Sequence, residues 1–146
     1  MTTIRQARHD DLSSILRIEK KSFGIDAWDR EMFLHYFAHP DRSVFLVATI
    51  NGLAVGYVLA WHGIIRAEIH SVAVTPAHRG KGVAAALLER SIRRLRRRGF
   101  GSVSLNVRLE NSAAIGLYRR LGFQRVRRVN GYYEDGAPAW RMRRPG

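Results

Sequence analysis

The spacing of apolar residues changes along the chain and marks out its elements. Thr3 to Ala7 reads as a first strand. His9-Asp10-Asp11 then offers capping side chains for a helix, along which Leu12, Ile15, Leu16 and Ile18 recur at helical spacing. A loop through Phe23-Gly24-Ile25-Asp26-Ala27-Trp28 leads to a second helix, capped by Asp29. It carries Met32, Phe33, Tyr36 and Phe37 and is stopped by His39-Pro40. Val44 to Ile50 and Ala54 to Ile64 are strand-like, and Asn51-Gly52 between them is the strongest short hairpin signal. Ala67 to Val74 is a further strand. After Thr75-Pro76 comes a glycine-rich turn and a long helix from about Val83 to Arg98, ended by Gly99-Phe100-Gly101. Ser102 to Arg108 is a strand, and Ser112 to Leu121 a helix that Gly122 stops. Two last strands, Gln124 to Gly131 and Ala137 to Arg143, flank a turn at Glu134-Asp135-Gly136. The order β-α-α-β-β-β-α-β-α-β-β predicts an α/β fold, and residues 1–146 show no linker or repeat and are expected to form one domain.

Composition narrows the chemistry. The chain has no cysteine, which removes disulfides, thiolate metal sites and a cysteine nucleophile. The start of the chain lacks the apolar core of a signal peptide, and no apolar run reaches the roughly 18 residues of a membrane span. These features predict a cytoplasmic protein with no membrane partner. Charge is less ordinary: 25 lysines and arginines against 12 acids give +13, and only Lys20, Lys21 and Lys81 are lysines. That excess favours an anionic partner such as nucleic acid, a ribosomal surface, a phosphorylated cofactor or an acidic peptide.

The densest signal runs from Val72 to Leu88. A strand delivers the chain to Ala77-His78-Arg79-Gly80-Lys81-Gly82, and this turn opens a helix. Small residues there expose backbone N–H groups, and the helix start adds partial positive charge, so the geometry suits a phosphate. Arg79 and Lys81 add formal charge. A Walker A loop would need four residues between its glycines and then Lys-Ser/Thr, and this segment has neither. Gly80-Lys81-Gly82-Val83-Ala84-Ala85 fits the loose dinucleotide pattern, but Thr75 to Arg79 makes the turn too long and too little chain follows.

Arg79-Gly80-Lys81-Gly82-Val83-Ala84 resembles the R/Q-x-x-G-x-G/A signature of the GNAT acetyltransferases. Asn111-Ser112-Ala113-Ala114-Ile115-Gly116-Leu117-Tyr118-Arg119-Arg120-Leu121-Gly122-Phe123 resembles that family's N-x-x-A-x-x-L-Y-x-x-x-G-F segment. The two motifs, in this order and together with the element string above, make the resemblance cover nearly the whole chain. The resemblance implies a mixed, curved sheet of about seven strands with helices on both faces, and acetyl-CoA in a gap between two splayed middle strands. Those strands would be Ala67–Val74 and Ser102–Arg108. It also implies that backbone groups of Val72, Ala73 and Val74 bond the pantetheine arm and that amides from Arg79 through Gly80, Lys81, Gly82 and Val83 to Ala84 hold the pyrophosphate. Asn111 would touch the cofactor, and Tyr118 would lie near its sulfur.

Acetyl transfer to an amine requires a neutral nucleophile, a stabilised oxyanion and a proton for the leaving thiolate. Tyr118 suits the last role because a phenol stays protonated near neutral pH. The chain is most similar to the ribosomal-protein-alanine N-acetyltransferases and their archaeal N-terminal acetyltransferase relatives. Leu105-Asn106-Val107-Arg108, Tyr132-Tyr133-Glu134-Asp135-Gly136 and Trp28 carry that likeness. Those enzymes often place a glutamate base where Asn106 stands, and asparagine cannot take a proton. Glu68 is the expected replacement, with His70 as a second candidate, since simple strand alternation puts Glu68, His70 and Val72 on one face. Phe23, Trp28, His70, Asn106, Tyr132 and Tyr133 are expected walls of the acceptor site. The remaining histidines show no metal-ligand spacing, so no metal is expected. An α-amine has a pKa near 8 and lysine about 10.4, so roughly a tenth of α-amines are already neutral at pH 7. A weak base thus favours a protein or peptide N-terminus over a lysine side chain, with a small-molecule amine or a lysine as the alternative acceptor.

A basic RNA- or ribosome-binding module is the rival class. Arg90, Arg93, Arg94, Arg97 and Arg98 lie opposite the apolar stripe of Ala84, Ala85, Leu88, Ile92 and Leu95 on the long helix. A solvated outer face explains that pattern without nucleic acid.

Overall fold

The computed structural model describes residues 2–146, with the side chain of Ile25 outside the description. Seven strands form one mixed sheet in the order β1-β2-β3-β4-β5-β7-β6. They are β1 (Thr2–Gln6), β2 (Ser43–Ile50), β3 (Leu53–His62), β4 (Ala67–Val74), β5 (Val103–Arg108), β6 (Gln124–Val129) and β7 (Ala139–Arg144). The helices are α1 (Leu12–Phe23), α2 (Arg30–Phe37), α3 (Val83–Arg97) and α4 (Ser112–Arg120). Every element lies within two residues of its expected bounds, and the expected order holds.

Local chemistry accounts for these boundaries. Asn51 and Gly52 both take positive φ, 52° and 80°, the twist of a two-residue hairpin turn between β2 and β3. Asp29 Oδ1 accepts a hydrogen bond from the Met32 amide at 3.0 Å, which caps α2 as its residue type predicts. Asn111 caps α4 in the same way, through the Ala114 amide at 3.2 Å.

Two cores sandwich the sheet. On one side α3 and α4 cover it with Leu87, Leu88, Ile92, Leu95 and Tyr118 against Leu46, Val58, Leu105 and Met142. On the other, α1 and α2 bring Leu12, Ile15, Ile18, Phe33 and Tyr36 against Phe45, Val47, Tyr57, Leu59 and Ala73. Among the described residues this second core draws on β2–β4, on Ala7 just after β1 and on the helices above them, and the same side of β5, β7 and β6 has no such apolar cover. Among the described residues no helix is long and apolar enough to cross a membrane.

Candidate active site

The sheet is interrupted at its centre. β3 and β4 pair along their length, from Gly56–Val74 to His62–Ala67. β4 and β5 run parallel and pair only at Glu68–Ser104, beyond which they diverge. A β-bulge marks the divergence: Leu59 faces Ser71 and Ala60 faces Ile69, which leaves His70 as the extra residue. The bulge corrects the expectation of simple alternation. Val72 turns to the α3 side with Ile69 and Val74, whereas Ser71 and Ala73 join the α1/α2 side. One inserted residue shifts the period of two, so Glu68 and His70 do not share a face with Val72.

A cleft of about 510 Å³ passes through the gap. Tyr118 and Asn111 line it on the α3/α4 side; Trp28, His70, Asn106 and Tyr132 line it on the other, with Phe23 and Val72 along its length. Tyr118 is 9% exposed, meets Phe123 edge-on with ring centroids 5.9 Å apart and has its pKa raised by burial, which keeps the phenol protonated. No side-chain hydrogen bond among the described residues involves its hydroxyl.

The glycine loop follows β4, whose Val72 lines the cleft, and Arg79 of the loop bonds Ser22, another lining residue. Gly80 and Gly82 have φ of 76° and 81°, a region that disfavours any side chain, and open space surrounds both. Gly82 caps α3 without a side-chain acceptor, and the first bond closing the helix runs from the Ala86 amide to Gly82 O at 3.0 Å. The N–H groups of Val83 and Ala84 therefore stand free at the positive end of a 15-residue helix. Lys81 is exposed on the loop. Arg79 points the other way: its Nε donates to Val74 O at 3.0 Å and its Nη2 to Ser22 Oγ at 3.2 Å, bracing the loop against β4 and α1.

The cleft is also lined by a buried carboxylate that sequence reading passed over. Glu19, 1% exposed, accepts hydrogen bonds from the Trp28 amide at 2.8 Å, from Ser71 Oγ at 3.0 Å and from the Tyr57 hydroxyl. One side chain thus joins the α1–α2 loop, the bulge of β4 and the core strand β3. Burial raises its pKa above the usual carboxylate range, against the lowering effect of those bonds. The available signal was its place on α1, seven residues after Leu12 on the core-facing stripe. Arg108 was also missed as a site residue. It pairs with Asp26 of the α1–α2 loop and, at 3.1 Å, with Asp135 of the β6–β7 loop, and its guanidinium lies 4.1 Å from the Tyr133 ring centroid. It therefore ties together the two loops that wall the cleft.

His70 sits between these walls, its side chain 28% exposed. Its Nδ1 lies 2.6 Å from the Tyr36 hydroxyl and its Nε2 3.8 Å from Glu68 Oε2. Burial lowers its pKa, so the imidazole is neutral at neutral pH even with Glu68 nearby. Tyr36, pushed up to about 12 by burial and then by Glu68, stays protonated. Glu68 itself lies beside the cleft rather than in its lining, where Oε1 accepts from Arg141 Nη2 at 3.2 Å. Asn106 donates to the Tyr132 hydroxyl at 3.3 Å, and among the described residues no cluster could hold a metal.

The model of the acetyltransferase (GNAT) family matches residues 10–123, which take in the glycine loop, the splayed strands and the Tyr118 helix. The chain belongs to this family. It is 35% identical to an uncharacterised N-acetyltransferase of Methanocaldococcus jannaschii over 89% of its length, and spans 64% of that relative. It is 31% identical to the N-alpha-acetyltransferase of Saccharolobus solfataricus, over 98% of this chain and 92% of that one. Among solved structures, Ard1 from Thermoplasma volcanium matches with a TM-score of 0.91 and 29% identity, covering 99% of this chain and 97% of that one. The ribosomal-protein-S18-alanine N-acetyltransferase from Escherichia coli gives 0.89 and 30%, over 99% and 94%. The yncA acetyltransferase from Salmonella typhimurium, solved with acetyl-CoA, gives 0.84 and 26%, over 99% and 94%.

As a GNAT enzyme the protein is an acyl-CoA-dependent N-acetyltransferase with acetyl-CoA as co-substrate. Its own residues fit that group. The loop offers unbonded amides and left-handed glycines with open space beside them, and the divergence of β4 from β5 leaves strand edges bare where an extended ligand can bond backbone.

Proposed function

We propose that the protein acetylates the α-amine of a polypeptide N-terminus, with Tyr118 and Glu68 handling the protons. The observation that carries this reading is the through-sheet cleft. It separates a cofactor side, with Tyr118 and Asn111, from an acceptor side walled by two loops that Arg108 holds together. Val72 to Val74, the amides from Arg79 to Ala84 and Asn111 would hold acetyl-CoA. When bound, it supplies an acyl group on a thiol leaving group. The names of the Saccharolobus and Escherichia coli relatives support the choice of acceptor class.

The proton inventory also favours an α-amine. Tyr118 keeps a proton at the cleft and gives it to the departing sulfur. On the acceptor side the attacking amine must lose one. Glu68 takes it, through a water or by way of His70 Nε2; the latter route requires His70 Nδ1–H to donate to the Tyr36 oxygen. Glu68 shares its charge with Arg141, and Asn106 has no basicity, so the site lacks a strong base in direct contact with the acceptor. Such a site matches an amine of pKa near 8 far better than one of about 10.4.

The test is a screen of peptides and small amines for CoA release, with the modified nitrogen mapped, followed by pH–rate profiles. Glu68→Gln is expected to depress kcat/KM most at low pH and to recover partly as the acceptor loses its own proton. Asn106→Glu is expected to be tolerated. A Glu68→Gln profile that overlays the wild type removes Glu68 from the mechanism, and turnover confined to lysine or small amines overturns the acceptor class.

A further inference from the structure

The acceptor side of the cleft opens onto the part of the sheet that α1 and α2 leave bare. Residues paired across neighbouring strands share a face. Asn106 and Ser104 on β5 pair with Arg141 and Arg143 on β7, and these pair with Arg127 and Gln124 on β6. The intervening residues Val103, Leu105, Val107 and Met142 are buried in the α3/α4 core. Arg127, Arg141 and Arg143 therefore stand on the same face as Asn106, whose side chain bonds Tyr132 at the cleft mouth.

Charge on this face is distributed unevenly. At the mouth Arg108 is matched by Asp26, Asp135 and, at 3.4 Å, Glu110. Arg141 is matched by Glu68. Further along, Arg143 bonds only Ser102 Oγ, at 2.8 Å, and neither it nor Arg127 has a carboxylate partner among the described residues. Both are exposed. Strands lie about 4.8 Å apart and rise roughly 3.3 Å per residue, so the backbone positions of these two arginines lie roughly 8–10 Å from that of Asn106. An extended peptide covers that span in two to four residues.

We infer that the acceptor polypeptide runs from the cleft over β5, β7 and β6, and that its second to fourth residues are acidic and pair with Arg143 and Arg127. The inference rests on the α-amine reading above and names the substrate class within it. Carboxylates there meet two guanidinium groups that have no carboxylate partner among the described residues, whereas lysines would add to an existing positive excess. The pairs are exposed, so the gain is moderate and screened by salt.

Three peptides that differ only at positions 2–4 decide the matter: Ala-Glu-Glu-Glu, Ala-Gln-Gln-Gln and Ala-Lys-Lys-Lys, each followed by one common neutral tail. Steady-state rates are measured at low and high salt for the wild type, for Arg127→Glu/Arg143→Glu and for Arg127→Gln/Arg143→Gln. The acidic peptide is expected to exceed the glutamine peptide about tenfold in kcat/KM at low salt, mainly through KM. High salt should shrink the gap. The double Glu variant should reverse the preference, the double Gln variant should erase it, and both should turn over the glutamine peptide as the wild type does. Equal rates for all three peptides overturn the inference, as does a preference unchanged in the variants. Should an RNA oligonucleotide bind the wild type but not the double Glu variant while peptide charge has no effect, the face belongs to nucleic acid and the inference falls. Acetylation of small amines with none of any peptide defeats the α-amine reading itself.

Discussion

On the side of the sheet that α1 and α2 approach, two surfaces meet at β4. β2, β3 and the far end of β4 present Phe45, Val47, Tyr57, Leu59 and Ala73, all sealed under helices. β5, β7 and β6 present Ser104, Asn106, Arg141, Arg143 and Arg127, which no apolar core covers among the described residues. The first half is a core and the second a solvated surface, although both belong to one seven-stranded sheet. The cleft lies on the seam. There Glu19 reaches down from the packed half, and Arg108 ties the α1–α2 loop of that half to the β6–β7 loop of the open half. Rigidity on one side and access on the other suit a small domain that holds a cofactor in a cleft open to an acceptor amine.

Substitutions can break this contrast or sharpen it. The largest expected loss of stability is in the packed half. Phe33 is fully buried among the rings of Phe45, Tyr57 and Trp28, so Phe33→Ala should cost about 3–5 kcal/mol and lower Tm by roughly 10 °C or more. A thermal melt close to wild type would show that this half is not a core. At the seam, Tyr118→Phe should reduce kcat by about 10²-fold, about 2.7 kcal/mol of barrier, with acetyl-CoA affinity and Tm little changed. Turnover near wild type with chemistry rate-limiting would leave Tyr118 a packing residue.

Glu19→Gln should destabilise by about 1–3 kcal/mol, because the amide cannot accept all three bonds. Its pH dependence has a definite sign. The carboxyl pKa is raised in the folded state, so the contribution of this group to stability is fully present below the unfolded pKa, near 4.3, and falls as pH rises through the folded value. The stability difference between wild type and Glu19→Gln should therefore shrink with rising pH across that window. A difference that is constant or grows in parallel denaturant titrations would contradict burial as the dominant influence. The smallest effect belongs to the open half. Arg127 is exposed and has no carboxylate partner among the described residues, so Arg127→Glu should change stability by less than about 0.5 kcal/mol. A larger shift in the same titration would mean that the bare face contributes to folding after all.

Much of this site could be read from local sequence. The glycine loop, the Asn51-Gly52 turn, the Asp29 cap and the helix bearing Tyr118 depend on residues within a few positions of one another, where backbone sterics and hydrogen bonding act directly. The order of elements followed from periods of 2 and 3.6. The face occupied by Val72 did not, because a bulge depends on the register of the partner strand. Nor did the partners of Glu19, which lie 38 and 52 residues away at Tyr57 and Ser71, or the pairing of Arg108 with Asp26, 82 residues away. The arginine face required β7 to insert between β5 and β6, which no local pattern specifies. The sequence by itself thus determined which segments become helix, strand and glycine-rich loop. Tertiary structure alone decided which side chains meet at the cleft, because long-range register sets where charges are paired, buried or left bare.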